Sequence, residues 1–579
     1  MFLLKKMNRK DNFSLEISGE MSNNLNELFS ISHRSYIIHF NSTKVLVLDN
    51  HRVVNLFHSQ ILTLDNFETN YYKYLNYGLV IIFDNHSITI YNDIYGAYPI
   101  YKNLAAGGLI LSISNFIKTC DNSSLNKRAI AEFFHFNHFL GCNTLYSDIE
   151  RIPGGCKLKI ENKAVGIQQI ITWDDILKRL TSFANENVNL YEPLLATIKE
   201  SLNQNDNYLT LTGGFDSRLL YSTLLSKKVS FKNVTWGIAG NIQSEVAREL
   251  SKDYGIEHIN LPLDNAFTGN INRYLSYIFQ NAGGSPFIVD VPQFIYMCES
   301  LPRGINLIGG FMGSEIIRGP SYSSQVTLTK FAADVCLSRN KDDVRKNVID
   351  FQTRYPFIDG EFLNRNLDYF IDRYSGYAYF NNKTELRNYN IYKYLFYEKY
   401  AKIFTQFIKV HYSNNVNLIS PFMDFNVIGT ILRKTNFLNK YTPFENSAYK
   451  NYNLYRFYAK EIKNIYPDLL NSRMDRGYRV KDLLTWYGNL KLIPIQVERK
   501  KNKRTIIKNS IVVDSFSWFR PLLGTELISN NGLFDGVLNR KYLISRIEKQ
   551  DYLDSLERTK ILLFLGLDFF AKEGIKKVK

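Results

Sequence analysis

The residues best placed for chemistry lie in one short stretch, Thr212-Gly213-Gly214-Phe215-Asp216-Ser217. Upstream, Leu209 and Leu211 sit among threonines in a short β-prone run. Downstream, Phe215, Leu219, Leu220 and Leu224 recur at helical spacing. The pattern predicts a strand, a tight turn and a helix start. Two glycines let a ligand come close to the backbone, because no Cβ stands in the way. The first N–H groups of the new helix lack an acceptor within the helix and lie at the positive end of its dipole, so the turn suits an oxyanion. Asp216 adds a hard oxygen ligand for magnesium, and Ser217 a hydroxyl that can donate to a phosphate oxygen. A glycine turn in an ordinary α/β unit is the plainer alternative. A Walker A loop is excluded, since no GxxxxGKS/T string occurs.

The elements that must hold this turn can be read on both sides of it. Phe231 to Ile238 reads as a buried strand, Ser244 to Tyr254 as a helix with Val246, Leu250 and Tyr254 on one face, and His258 to Leu263 as the next strand. Ile305 to Ile308 is a further strand running into Gly309, Gly310, Phe311, Met312, Gly313, Ser314 and Glu315. Strands separated by helical runs of this length predict a parallel sheet with right-handed crossovers and ligands at the carboxyl ends of its strands. Before about residue 170 the runs are short and β-like: Ser35 to Phe40, Lys44 to Leu48, Gly78 to Phe83, Ser87 to Tyr91 and Gly108 to Ile113. They predict stacked antiparallel sheets. Residues from about 171 to 200 read as a helical connector. Beyond residue 320 the pattern is mostly helical, and the aromatics from Tyr369 to Phe407 read as core rather than a cofactor site. Residues 480 to 579 carry no motif, and Leu556 to Phe570 reads as an amphipathic helix packed on the second domain.

Composition narrows the class. A hydrophobic content of 45% with 22% charged residues is enough for a packed core over 579 residues. The 39 tyrosines and 40 phenylalanines are read without chemical meaning. A formal charge of +16 favours anionic partners such as ATP and says nothing about fold. The densest basic run, Arg499-Lys500-Lys501-Asn502-Lys503-Arg504, suits nucleic acid, anionic lipid or an acidic substrate, with a solvated loop the plainer reading. No nucleic-acid motif accompanies it, so nucleic acid ranks last among partners. Five cysteines at wide spacing make neither a disulfide framework nor a zinc site. No apolar run is long enough for a signal peptide or a membrane span, which fits a reducing, ATP-containing cytoplasm.

The turn resembles the SGGxDS pyrophosphate loop of the asparagine synthetase family, with Thr212 keeping the hydroxyl of the first serine. Tyr91-Asn92-Asp93-Ile94-Tyr95-Gly96-Ala97-Tyr98-Pro99-Ile100-Tyr101 resembles the RDxxGxxPLYY segment of that family's N-terminal domain. Asn143 to Ile149 with Ile152-Pro153-Gly154-Gly155 resembles the region that closes it. Ser420-Pro421-Phe422-Met423-Asp424 is similar to the family's PFLD turn. Leu454-Tyr455-Arg456, Tyr466-Pro467 and Arg473-Met474-Asp475-Arg476-Gly477-Tyr478 are similar to its closing region. The resemblance implies an α+β and α/β protein: an Ntn-hydrolase-like β-sandwich over 1–175, an ATP-pyrophosphatase domain of the adenine nucleotide alpha hydrolase type over 185–480, and a helical extension over 481–579.

The same resemblance implies activation of a carboxylate by ATP and Mg2+, release of pyrophosphate and attack by an amine. Leu211, Thr212, Gly213, Gly214, Asp216 and Ser217 would take the phosphates, with Asp216 on the metal. Trp236 and Gly237 fall where the family binds adenine, although Trp236 suits the core equally. Gly310 allows close approach, and Glu315 is the trailing acid of the segment similar to SGEGxDE. Arg456, Arg473, Arg476 and Lys450, in that order, are the cations expected near departing pyrophosphate. Several positions depart from the family. Phe311 and Ser314 stand where carboxylates are expected, Tyr452 where a lysine is, and Phe2 where the glutaminase has its nucleophilic cysteine, with no cysteine before Cys120. The first domain is therefore expected to keep its fold without glutamine hydrolysis. The expected substrate is a small-molecule, peptide or sugar-acid carboxylate, with further enzymes of a biosynthetic cluster as partners. A non-catalytic scaffold derived from a synthetase is the rival reading.

Overall fold

In this computed structural model the described residues are short strand segments between residues 2 and 83, then 87–97, 99–103, 108–110, 124–161, 164–176, 189–202, 206–281, 285–317, 329–378, 380, 384–435, 448–501, 515–523, 532–549 and 553–576. At the centre is a five-stranded sheet: β1 Asn207–Thr210, β2 Lys232–Gly237, β3 His258–Pro262, β4 Ile305–Ile308 and β5 Val416–Ile419. Its spatial order is β3-β2-β1-β4-β5, and every neighbouring pair is parallel. All four residues of β4 and of β5 are buried, as a parallel sheet covered on both faces requires. Polar residues in it are paired. Asn417 donates to Asn306 (2.8 Å) and Asn306 to Asn207 (2.9 Å), an amide ladder across β5, β4 and β1.

The helices used below are α1 Lys127–Phe136, α2 Phe215–Ser226, α3 Ile242–Asp253, α4 Gly313–Ile317, α5 Ala401–Ser413, α6 Phe425–Thr435, α7 Ala448–Ile465, α8 Trp486–Lys501 and α9 Ser555–Lys576. From β1 the chain builds outward through β2 to β3, then crosses to β4 and β5 on the opposite side. The direction of build therefore reverses between β1 and β4, which is where open α/β sheets leave a crevice at the strand ends. β5 lies in a region that the sequence pattern assigns to helix. It is four residues long, between α5 and a 3-10 turn over Pro421–Met423, and so short an apolar run carries no period of its own.

The N-terminal third holds two larger sheets. One has five strands in the order Ile149–Arg151, Tyr101–Asn103, Gly108–Ile110, Phe2–Lys6 and Phe13–Ile17, antiparallel throughout. The other has seven, in the order Ala164–Gln169, Cys156–Glu161, Ser87–Asn92, Leu79–Phe83, Val45–Asp49, Arg52–Asn55 and Ile61–Thr63. Here the expectation of purely antiparallel pairing needs correcting, because Val45–Asp49 and Leu79–Phe83 run parallel. The hairpin of Arg52–Asn55 and Ile61–Thr63 extends the sheet outward, and the chain then crosses back to the far side of Val45–Asp49 in the same direction.

The two N-terminal motifs meet. Asn92 donates to the carbonyl of Pro153 (2.6 Å), and the Gly155 N–H to that of Asp93 (2.9 Å). Tyr95 then reaches the second part of the chain: its hydroxyl donates to the Met423 carbonyl (2.9 Å) and its ring stacks on Phe425 at 5.1 Å. Buried apolar side chains form one continuous cluster from Ile94 to Ala571, running across residues 175 and 480 without a break. It includes Phe370, Tyr374, Tyr392, Tyr394, Phe396 and Phe407, so these aromatics are core.

The carboxyl end of α1 is unusual in what satisfies it. Lys560 of α9 donates to the Phe134 carbonyl, Lys399 to Phe136 (3.1 Å), and Lys402 to Phe139 (2.5 Å) and Gly141 (2.8 Å). Lys399 belongs to a seven-residue π-helix, Tyr394–Tyr400. Cations suit the negative end of a helix dipole, but burial opposes their charge: it brings Lys399 down to about 7 and also lowers Lys402 and Lys560. Lys402 keeps a carboxylate partner in Glu398 at 2.7 Å. Among the described residues no helix is long and apolar enough to cross a membrane.

Candidate functional site

The turn between β1 and α2 is shaped by its own hydroxyls. The Thr212 N–H donates to Ser217 Oγ (3.1 Å), the two hydroxyl oxygens lie 3.0 Å apart, and the Gly214 N–H donates to Thr212 Oγ1 (3.2 Å). Leu211 continues the sheet through its N–H, which bonds the Val234 carbonyl at 3.0 Å. Gly214 precedes α2 with extended backbone and, as a glycine, brings no capping side chain of its own.

Asp216, in the first turn of α2, is half-buried. Its carboxylate accepts a hydrogen bond from the Tyr458 hydroxyl on α7. On the other side it meets the turn after β4. A Cβ at Gly310 would come 3.2 Å from Asp216 Cβ, and one at Gly313 would come 2.8 Å from Asp216 Oδ1, so glycine at both positions is what lets the two loops touch. Between them Met312 holds a left-handed backbone (φ 73°), which a side-chain-bearing residue adopts only when its surroundings enforce it. The two loops flank the point where the sheet's build reverses.

A third segment covers the turn. Asp475 donates its N–H to the Gly213 carbonyl (3.2 Å), and a Cβ on Gly213 would come 2.6 Å from Asp475 Cβ. Arg218, wholly buried on α2, ties this segment down by donating to Ser472 Oγ and to the Arg473 carbonyl (2.7 Å). Burial lowers its guanidinium to about 10, against the opposing pull of Asp475.

The expected cations are not all gathered at the turn. The half-buried Arg476 lies over the Tyr455 ring at 4.3 Å and 3.7 Å from Asp475, whereas Arg473 is turned to Glu249 at 3.4 Å. Arg456 is exposed, about 100° around α7 from Tyr455. Lys450, ranked behind the three arginines, is buried on the same helix. At the next strand end, Trp236 donates its indole N–H to Gln293 (3.0 Å) and packs edge-on against Phe294 at 5.5 Å. The Gly237 carbonyl accepts from Leu263 (2.9 Å). Phe311 packs on Phe407 (5.3 Å), and Phe407 on Phe294 (4.5 Å), so an aromatic wall runs from the turn after β4 to Trp236. Ser314 donates to the half-buried Glu315 at 3.3 Å.

Sequence reasoning missed Tyr458. With Leu454 and Ile462 it forms a buried i, i+4, i+8 stripe on α7, and it is the member of that stripe with a hydroxyl. That polar atom on an apolar stripe was the available signal. Phe215 stacks on both Tyr455 (5.4 Å) and Tyr458 (5.1 Å), which fixes α7 beside the turn. Among the described residues no group of three or more His, Cys, Asp or Glu side chains converges to hold a metal. One carboxylate suffices for magnesium when phosphate oxygens and water supply its other ligands.

Comparison with protein-family models gives no match, and comparison with curated proteins gives none either.

Proposed function

We propose that the protein is an ATP-dependent amide-forming ligase of the asparagine synthetase type, built from an Ntn-like N-terminal domain and an ATP-pyrophosphatase domain. It activates a carboxylate of a small molecule, peptide or sugar acid by adenylation, releases pyrophosphate and couples an amine or ammonia, without hydrolysing glutamine. One observation carries the reading: the Asp216 carboxylate sits at the reversal point of a parallel sheet, beside the amino end of α2, whose N-cap is a glycine, and against the glycine turn after β4. Backbone N–H groups there would stabilise the charge that builds on departing pyrophosphate, with Arg476, beside Asp475 on the covering segment, as the candidate cation. Thr212 and Ser217 hold the turn in shape, and Tyr458 orients Asp216. Asp216 would hold magnesium, whose chemistry is to screen the phosphates.

Exchange of labelled pyrophosphate into ATP, dependent on a carboxylate substrate, tests the proposal. In Asp216→Ala the exchange should fall by about 100-fold or more, given that it removes a metal ligand at the charge-bearing centre. A wild-type protein that binds no nucleotide would sink the reading. A second reading, a non-catalytic ATP-binding scaffold, is favoured by the packing of Phe311 into an aromatic wall where the family has a carboxylate. ATP binding without exchange across a panel of carboxylates would select it.

A further inference from the structure

Helix α8 is apolar on two faces. Inward, Leu492 and Ile495 join the core. Outward, Trp486 (76% exposed), Leu490 (58%), Ile493 (61%) and Val497 (47%) follow i, i+4, i+7, i+11 spacing and form a single stripe in solvent, with Tyr487 (49%) at its side. The inward face accounts for folding and the outward stripe does not. Burying such a stripe is favourable, so its exposure marks a contact surface. Charge on the same segment indicates with what. Between residues 486 and 504 there are six Lys and Arg (Lys491, Arg499, Lys500, Lys501, Lys503 and Arg504) against one acid, Glu498.

We propose that α8 docks the protein on an anionic lipid surface. Leu490, Ile493 and Val497 would enter the acyl boundary, the rings of Trp486 and Tyr487 would lie at headgroup level, and the basic run would meet lipid phosphates. Anionic lipid offers both what the stripe needs and what the charges need. Nucleic acid offers no apolar layer for aliphatic side chains, and a second copy would bring two basic runs together. The proposal is independent of the reaction assigned above.

The test is sedimentation of the full chain with vesicles of phosphatidylglycerol mixed into phosphatidylcholine, against phosphatidylcholine alone. Binding should require the anionic lipid and weaken with salt. Each of the pairs Leu490→Glu/Ile493→Glu and Lys500→Glu/Lys501→Glu should lower it by about tenfold or more, with the melting temperature and nucleotide binding unchanged. As a second measurement, tryptophan emission should shift blue on adding anionic vesicles, and the shift should be lost in Trp486→Phe. Failure of folded wild-type protein to bind anionic vesicles would overturn the proposal, and so would equal binding to neutral vesicles. Self-association abolished by Leu490→Glu/Ile493→Glu in a chain that ignores vesicles would assign the stripe to a second copy. Retention of homopolymeric RNA that is lost only in Lys500→Glu/Lys501→Glu would assign the basic run to nucleic acid.

Discussion

The amino end of α2 and the carboxyl end of α1 pose the same physical problem, backbone polar groups without helical partners, and the protein answers it in opposite ways. At α1 the buried ammonium groups of Lys399 and Lys560, from two other elements, fill the helix end, and Lys402 satisfies the carbonyls of Phe139 and Gly141 just beyond it. At α2 the N-cap residue is a glycine with no side chain to offer, further glycines surround it, and a carboxylate stands in its first turn. The contrast separates structure from function: an end that the chain satisfies at the cost of burying lysines is architecture, and an end with a glycine N-cap beside Asp216 suits a ligand.

That contrast can be broken at Arg218, with the largest expected effect. Arg218→Met leaves the Ser472 hydroxyl and the Arg473 carbonyl without their buried donor and should cost about 3–5 kcal/mol in urea unfolding. A loss under about 1 kcal/mol would mean that the covering segment does not depend on this tie. Gly213→Ala is next. Its methyl would come 2.6 Å from Asp475 Cβ, so the covering segment must shift, at about 1–3 kcal/mol. Nucleotide affinity should fall with it, and unchanged stability and affinity would show that the segment lifts freely.

The smallest effect concerns pH at the α1 end. Lys399 binds its proton with a pKa of about 7 when folded and 10.5 as a free side chain. Below about 7 both states are protonated and the burial cost is fully felt. From there to 10.5 the unfolded chain holds the extra proton, so stability should rise with pH across that window. Lys399→Met should flatten part of the rise, by about 1–2 kcal/mol between neutral pH and the upper part of the window. Lys402 and Lys560 are shifted in the same direction and would sustain the remainder. An identical pH slope in Lys399→Met would remove this lysine from the account.

Legibility in the sequence followed locality. Strand, turn and helix start around Thr212 to Ser217 are adjacent residues, and so are Gly309 to Gly313, so β1 to β4 and the site's two loops can be read directly. Tyr458 on Asp216 spans 242 residues and Arg218 on Ser472 spans 254, and no local pattern announces either pairing. β5 was hidden by its brevity. The parallel pairing of Val45–Asp49 with Leu79–Phe83 was hidden because strand direction is a property of the crossover, not of the strand. The run Tyr394-Leu395-Phe396-Tyr397-Glu398-Lys399 reads as helix, with no sign that the helix widens to π form there.

The bond from Lys560 to the Phe134 carbonyl joins groups 426 residues apart. On a ribosome adding about 5–20 residues each second, the end of α1 is synthesised roughly 20 to 85 seconds before its last donor is made. Until then that helix end must stay hydrated or be sheltered by a chaperone. Completion of the fold is thus tied to translation of its distal helix, and a chain interrupted before residue 560 would carry an open helix end that quality control can recognise.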